Sequence, residues 1–237
     1  MMKYNRAEKY DQYMELMMGP NPVKLEEELM KGHKIPQGAT VMDLGCGRGL
    51  TSLFLVKEYG FRVFAADLWC SPTENKKFFD RVGLSSEQII PLRVDANELP
   101  FAGNFFDAVI SIDSYHYFGR DPRFLSEKIL PVIKHGGYLY IAIPGMKKDC
   151  HHDLPQELLL AWDAEQLDFI HDISYWRNVI SQTEDAEIIS IHEMQSNEEC
   201  WQDWIQCNNE YAKGDRKIME AGGGKYLNFI AIILKRR

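Results

Sequence analysis

Short apolar runs of strand length alternate with longer stretches of helical periodicity over the first two thirds of the chain. Such alternation is typical of parallel strands joined by crossover helices, where each strand is buried on both faces. The apolar runs are 41–44, 61–67, 88–94, 105–112 and 138–143. The pattern predicts an α/β fold with a doubly wound, mostly parallel sheet and helices on both of its faces.

The last third of the chain departs from this alternation. Residues 145–173 are polar apart from a helical stretch at 158–162, and we interpret them as an insertion over the strand ends. The elements predicted after the insertion are helices at 175–181 and 198–212 and strands at 186–194 and 226–235. With these two strands the predicted sheet has seven strands in all.

The chain before the first strand predicts a helical extension. Aromatic and methionine side chains between Asn5 and Met18 recur at roughly helical spacing, and Asn21-Pro22 is typical of an N-cap and first helical position. The sequence Ser-Pro-Thr-Glu at 71–74 predicts a capping box for a later helix. We expect a single domain with a helical cap at 1–36, a core at 37–144, the insertion at 145–173 and a C-terminal part at 174–237.

Composition limits the partners and the location of the protein. At 237 residues and 45% hydrophobic content, the chain is long enough to bury one substantial core. The net charge of -8 argues against nucleic acid as a partner. The N-terminus has no apolar signal region, and no apolar run is long enough for a bilayer, which predicts a cytoplasmic protein without membrane contact. We expect a monomer or homodimer. Five cysteines with no C-x-x-C pair predict reduced thiols.

A glycine-rich loop follows the first predicted strand. Gly45, Gly47 and Gly49 lie between that strand and a helix starting at Leu50. Glycines let the backbone approach a ligand, and unpaired N–H groups at the helix start face it. The dinucleotide fingerprint G-x-G-x-x-G requires a third glycine where this chain has Leu50. The loop therefore predicts a small polar ligand and disfavours a dinucleotide.

A carboxylate ends the second predicted strand. Asp67 lies 22 residues beyond Gly45. This offset matches the acidic residue that reaches a ribose diol in nucleotide-binding sheets. A carboxylate suits that task because it accepts hydrogen bonds from two adjacent hydroxyls.

The segment Asp-Leu-Gly-Cys-Gly-Arg-Gly at 43–49 resembles the first motif of class I S-adenosylmethionine-dependent methyltransferases of the small-molecule type. The resemblance covers about residues 38–145 and implies a Rossmann-like fold with an antiparallel last strand. It implies S-adenosyl-L-methionine as cofactor and Asp95-Ala96 as the adenine loop. The cofactor-binding residues that it implies are Asp43, Gly45, Cys46, Gly47, Gly49, Asp67, Leu68, Asp95, Ala96, Ile112 and Tyr13.

The loop after the fourth strand is expected to face the transferred methyl group. His116 is the leading candidate for a base, because an unperturbed imidazole titrates near physiological pH. Tyr115 and Tyr117 flank it and offer an aromatic ring or a phenolic oxygen to a sulfonium, and Tyr115 is the one we assign to the catalytic site. Asp113 is a candidate for positioning the substrate or the methionine part of the cofactor. The alternative is that His116 only packs or hydrogen-bonds locally.

The predicted function is methyl transfer to an N or O atom of a small-molecule acceptor. Asp113-Ser114-Tyr115-His116 differs from the Asp-Pro-Pro-Tyr motif of enzymes that methylate amino groups of nucleic acids, and there is no Pro-Cys pair. Two alternatives stay open: an NAD(P)-dependent oxidoreductase and a non-catalytic S-adenosylmethionine-binding protein. Residues 150–153, Cys-His-His-Asp, suggest a metal site, but four adjacent ligands do not converge on one ion, so we expect none.

Overall fold

The computed structural model describes residues 4–237, which form a seven-stranded sheet between two layers of helices. The strands are β1 Thr40–Leu44, β2 Arg62–Asp67, β3 Ile89–Arg93, β4 Phe106–Ile112, β5 Ile133–Met146, β6 Ala186–Glu193 and β7 Leu227–Arg236. All seven were predicted from the apolar pattern, with small differences at most ends.

The α-helices are α1 Pro22–Leu29, α2 Leu50–Tyr59, α3 Pro72–Arg81, α4 Pro122–Phe124, α5 Ala164–Leu167, α6 Ile173–Ile180, α7 Asn197–Gln206 and α8 Ala212–Glu220. Helix α4 continues as a π-helical turn at Leu125–Ile129 and a 3₁₀ turn at Leu130–Val132. Further 3₁₀ segments lie at Ala7–Leu16, Tyr115–Tyr117, Leu158–Leu160 and Gly223–Lys225.

The strand order across the sheet is β3-β2-β1-β4-β5-β7-β6. The strands from β1 to β5 pair in parallel, and β7 runs antiparallel to both of its neighbours. The order reverses direction between β1 and β4, which is the switch point where open α/β sheets bind ligands. The predicted doubly wound sheet with an antiparallel last strand is confirmed.

Two hydrophobic cores cover the two faces of the sheet. One core contains apolar side chains of α1, α2, α3, α7 and α8, and the other contains those of α6 and the helical stretch 122–132. Each strand except β6 alternates its side chains between these cores, whereas β6 contributes only to the second core and Ile189 is exposed. Both faces of the sheet are therefore buried up to β7, as the apolar runs of the strands predicted.

Two predictions about helix starts have different outcomes. Asn21 caps α1, because its Oδ1 accepts hydrogen bonds from the amides of Val23 at 3.1 Å and Lys24 at 3.2 Å. The capping box at 71–74 is wrong, since the Ser71 side chain makes no cap hydrogen bond. Glu74 instead pairs with Lys77 Nζ at 2.8 Å, one helical turn further on.

Three elements differ in extent from their predictions. The expected helix at 5–18 is a 3₁₀ segment, Ala7–Leu16, interrupted at Tyr13. The expected helix at 198–212 is α7 alone, and the separate α8 follows it. Strand β5 starts at Ile133, before the predicted apolar run 138–143, and its pairing with β4 shifts register between Phe106 and Ala108.

The segment 145–173 continues from the end of β5 and carries little regular structure. It contains one 3₁₀ turn and α5, and a bridge between Gly145 and His171 returns the chain to the sheet. Between residues 4 and 237, none of the helices has the length and apolar character needed to cross a bilayer.

Candidate active site

A cavity of about 350 Å³ opens at the carboxyl ends of the parallel strands. Loops from several strands converge at this edge, and the volume is within the range of small-ligand sites. The N-terminal segment 16–22 forms the opposite wall. Residues lining the cavity include Leu16, Met18, Gly19, Gly45, Cys46, Gly47, Asp67, Leu68, Asp95, Ala96, Ile112, Asp113, Ser114 and Tyr117.

The loops after β1, β2 and β3 are joined directly by hydrogen bonds. The Gly45 amide donates to the Ala66 carbonyl at 2.8 Å, and the Gly47 amide donates to Asp67 Oδ2 at 2.9 Å. The Val94 amide donates to the Asp67 carbonyl at 2.9 Å. The ends of β1, β2 and β3 therefore converge at one edge of the sheet.

Two glycines of the loop after β1 lie against other walls of the cavity. Gly45 has φ 81°, and a Cβ there would lie 2.1 Å from Ser114 Oγ. Gly47 has φ 53°, and a Cβ there would lie 3.0 Å from Met18 Sδ. A side chain at either position would be strained and would displace a residue that lines the cavity.

The carboxylate of Asp67 is held by three backbone amides. Its Oδ1 accepts from Trp69 at 2.8 Å and from Cys70 at 2.7 Å, and its Oδ2 accepts from Gly47 at 2.9 Å. A carboxylate has about four acceptor positions. Oδ2 therefore retains one position for a ligand hydroxyl, whereas the sequence argument envisaged two.

Asp95 and Ala96 form the cavity wall after β3. Asp95 Oδ1 accepts from the Asn97 amide at 2.8 Å and from Asn97 Nδ2 at 2.9 Å, and these hydrogen bonds lower the pKa of Asp95. The carboxylate is partly exposed and is charged at neutral pH. Ala96 beside it is buried, with no side chain beyond Cβ to block the cavity.

Asp43 and Gly49 do not line the cavity and instead shape the start of α2. Asp43 is buried and accepts from Thr51 Oγ1 at 2.7 Å and Ser52 Oγ at 2.6 Å. Burial raises the pKa of Asp43 to about 6, although these two hydrogen bonds lower it. Gly49 has φ 84°, and a Cβ there would lie 2.6 Å from the Phe79 ring. Asp43 and Gly49 therefore affect the site indirectly, because they hold the glycine loop against the start of α2.

Asp113 is the one candidate catalytic residue that lines the cavity. It follows β4 with φ 54°, a conformation uncommon outside glycine, and its amide donates to the Ala142 carbonyl at 2.7 Å. A Cβ at Gly19 would lie 2.3 Å from Asp113 Oδ2, so the missing side chain of Gly19 makes room for the carboxyl. Burial, together with the charge of Asp215, raises the pKa of Asp113 to about 8.

The structure does not bring His116 or Tyr115 to the cavity, contrary to the expectation that they face it. The 3₁₀ turn Tyr115–Tyr117 directs both side chains into the protein, where they are 2% and 1% exposed. Tyr115 packs within the core, with its ring centroid 5.9 Å from that of Phe124. Burial lowers the pKa of His116 to about 3, and within the described chain its Nδ1 has no hydrogen-bond partner.

Of the two tyrosines that flank His116, only Tyr117 lies at the cavity. Its side chain is 49% exposed, it lines the cavity, and its ring centroid lies 5.9 Å from that of Trp69 and 5.4 Å from that of Phe169. Tyr115 and Tyr117 are equivalent in sequence. The direction of the 3₁₀ turn Tyr115–Tyr117 alone decides which of the two rings faces the cavity.

The N-terminal wall also differs from the prediction. The Tyr13 ring packs edge-on against Phe78, at a centroid distance of 5.6 Å, and does not line the cavity. Leu16, Met18 and Gly19 line it instead, on either side of Met17, where the chain becomes extended. The helical spacing of the N-terminal segment predicted which of its side chains are buried. It did not predict the turn after the segment, which brings Met18 and Gly19 to the cavity.

Comparison with known proteins identifies a domain within this chain. Residues 42–141 match the family of the methyltransferase domain. The 2-methyl-6-phytyl-1,4-hydroquinone methyltransferase of Synechocystis sp. is 32% identical over 115 residues, which are 46% of this chain and 33% of the relative. The arginine-hydroxylase NDUFAF5 of Homo sapiens mitochondria is 35% identical over 136 residues, which are 56% of this chain and 36% of the relative. The chain thus spans about a third of each of these relatives.

Among solved structures, the geranyl diphosphate C-methyltransferase of Streptomyces coelicolor A3(2) has a similar fold. That complex contains Mg²⁺, geranyl diphosphate and S-adenosyl-L-homocysteine. The TM-score is 0.70 at 14% identity, and the match covers 97% of this chain and 84% of that one. At this identity the likeness establishes the fold, which includes the sheet and its flanking helices.

Proposed function

We propose that this chain, a class I S-adenosylmethionine-dependent methyltransferase by its domain match and its fold, transfers a methyl group to an N or O atom of a small-molecule acceptor. The observation that carries the proposal is the convergence of Gly45, Asp67 and Asp95 on one cavity whose remaining wall holds Asp113. S-adenosylmethionine, when bound, supplies a methyl group activated by its sulfonium.

The donors and acceptors of the cavity fit such a cofactor. Asp67 Oδ2 has one free acceptor position for a ribose hydroxyl, and the Asp95 carboxylate is available to an exocyclic amine. The glycine loop brings backbone close to the ligand where a side chain would collide with Ser114 or Met18. These contacts support cofactor binding along the β1–β3 side of the cavity.

The opposite side of the cavity offers the acceptor a carboxyl and an aromatic ring. We assign Asp113 the role of taking a proton from the acceptor, because it lines the cavity and has a pKa of about 8. Tyr117 adds an aromatic face that favours a cationic centre. His116 has neither access nor a suitable pKa, so its role is structural.

The test is a turnover assay with S-adenosylmethionine that carries an isotopic label on its methyl group. The protein is incubated with a pool of small metabolites, and S-adenosylhomocysteine and labelled products are measured by mass spectrometry. The expected result is a labelled small molecule formed in proportion to S-adenosylhomocysteine. Asp113→Asn should lower turnover by about 100-fold to 10,000-fold, the usual contribution of a general base.

Two other outcomes would replace the proposal. Binding of S-adenosylhomocysteine without turnover across the pool would indicate a non-catalytic binding protein. Saturable binding of NAD(P)H, followed by its fluorescence, with no binding of S-adenosylhomocysteine, would indicate an oxidoreductase. Leu50 in place of the third fingerprint glycine disfavours the latter.

A further inference from the structure

Three potential metal ligands meet at the two ends of the segment 145–173, outside the cavity described above. Asp149 and His151 lie just after β5, and His171 lies just before α6. One oxygen or nitrogen atom from each lies within 4.8 Å of the other two. The three side chains are respectively exposed, half-buried and buried.

His171 is a buried histidine whose two ring nitrogens both lack hydrogen-bond partners among the described residues. Its side chain is 8% exposed, and its ring stacks on Tyr175 at a centroid distance of 3.6 Å. A neutral imidazole has one donor and one acceptor, and leaving a buried polar group unpaired is costly. A ligand on one of these nitrogens would satisfy it.

His151 is held in a way that fixes its tautomer. Its Nε2 lies 3.0 Å from the Leu167 carbonyl, which only accepts, so Nε2 carries the proton. Its Nδ1 then presents a lone pair to Asp149 Oδ1, 3.1 Å away, which also only accepts. Two lone pairs face each other unless a cation lies between them, either a second proton or a metal ion.

We propose that Asp149, His151 and His171 bind a divalent transition-metal ion of the Zn²⁺ class. Two imidazoles and one carboxylate form a donor set that Zn²⁺ accepts, with bonds of about 2.0–2.2 Å and room for a water as fourth ligand. The bond from His151 Nε2–H to the Leu167 carbonyl is the outer contact that commonly orients a metal-bound histidine. The three ligand atoms lie within 4.8 Å of one another, so binding requires the side chains to draw closer together.

The ion would join the two ends of the segment 145–173. That segment carries Phe169, whose ring contacts the cavity residue Tyr117 and lies under the Arg120 guanidinium at 4.2 Å. Fixing His151 to His171 therefore fixes the wall of the cavity behind Tyr117. The site is structural in this assignment, and its test does not depend on methyl transfer.

The test uses untagged full-length protein stripped with a chelator and then titrated with ZnCl₂ by calorimetry and with CoCl₂ by absorption. The expected result is one ion per chain, and cobalt bands of four-coordinate geometry without thiolate charge transfer. His151→Ala and Asp149→Asn should weaken Zn²⁺ binding at least about 100-fold, since loss of a mere outer contact costs 10-fold to 100-fold.

Two matched variants make the result specific. His152→Ala changes the exposed neighbour of His151 and should bind Zn²⁺ like the wild type. Cys150→Ser removes the nearest thiol and should also bind normally. His171→Gln should weaken binding while retaining the circular dichroism spectrum of the wild type; if it unfolds, the Asp149 and His151 variants decide. Three results would overturn the proposal: unchanged Zn²⁺ binding in both His151→Ala and Asp149→Asn, loss of Zn²⁺ binding in Cys150→Ser, or no Zn²⁺ binding by the wild type.

Discussion

Glu26 and Glu28 lie two residues apart on α1, both are buried, and they differ in their hydrogen bonds. Glu28 accepts from the Gln195 amide at 2.8 Å, from the Ser196 amide at 2.7 Å and from the Tyr4 hydroxyl at 3.2 Å. Neither oxygen of Glu26 has a partner in the described structure, and burial together with the charge of Asp43 raises the pKa of Glu26 well above its ordinary value. The same residue type therefore stabilises the fold at one position and destabilises it at the other.

Replacing these residues should change the free energy of unfolding in opposite directions. A carboxyl whose pKa is raised on folding binds more protons in the folded state, so stability falls as pH rises from the unfolded pKa toward the folded one. Glu26→Met should raise the free energy of unfolding by about 1–3 kcal/mol at pH 8 and by less at pH 5. Urea unfolding at the two pH values measures this.

Glu28→Gln is the matched comparison for Glu26→Met. It replaces a carboxylate that accepts three hydrogen bonds and should lower the free energy of unfolding by about 1–3 kcal/mol at pH 8. Equal destabilisation by both variants would contradict the assigned difference between the two carboxyls.

The role proposed for Asp113 predicts a particular pH dependence. As a base it must be ionised, so kcat/KM should rise with pH and level off above about 8, the pKa of the free site. Asp113→Asn should abolish this rise, while His116→Gln should keep it. A profile whose midpoint moves with His116→Gln and not with Asp113→Asn would restore the histidine as the base.

At the scale of elements, the cavity depends on the segment between the first 3₁₀ helix and α1. Asn21 caps α1, and its Nδ2 donates to Asp203 Oδ2 of α7 at 2.7 Å. The same short segment places Gly19 against Asp113. One capping residue therefore fixes both a helix start and a cavity wall.

Asn21→Ala should lower the free energy of unfolding by about 0.5–2 kcal/mol, the usual cost of losing an N-cap. It should also weaken binding of S-adenosylhomocysteine, because the cap positions the segment 16–20 over the cavity. Chemical denaturation and calorimetry measure the two effects. Asn197→Ala, which changes a residue near the start of α7 away from the cavity, is the control for binding.

The sequence predicted well those elements that depend on residues close to one another in the chain. The strands up to β4 and the glycine loop follow from apolar runs and from glycines within a few residues of each other. The direction of Tyr117, the approach of Gly19 to Asp113 and the meeting of His151 with His171 depend on contacts between distant parts of the chain. A single sequence contains no pattern for these contacts. The sequence therefore named both tyrosines of the loop but did not distinguish Tyr117 from Tyr115, and it pointed to the wrong N-terminal residue, Tyr13.

At the scale of the whole molecule, binding at the cavity should couple the N-terminal segment to the sheet. A ligand that binds only the folded state stabilises it by about 2.7 kcal/mol when present at 100 times its dissociation constant. The ligand would contact both 16–22 and the loops of the sheet. We therefore expect S-adenosylhomocysteine to raise the melting temperature and to slow amide exchange over residues 16–22. A rise in melting temperature without slower amide exchange in this segment would show that the ligand binds elsewhere.

Calorimetric titration of S-adenosylhomocysteine into the purified protein measures whether the cavity binds the cofactor. We expect saturable binding of one molecule per chain, weakened about 10-fold by Asp95→Ala, which removes one cavity hydrogen bond of about 1.4 kcal/mol. Glu98→Ala, an exposed change in the same loop outside the cavity, should leave the affinity unaltered. No binding by folded wild-type protein, or equal affinity in the Asp95 variant, would contradict the account.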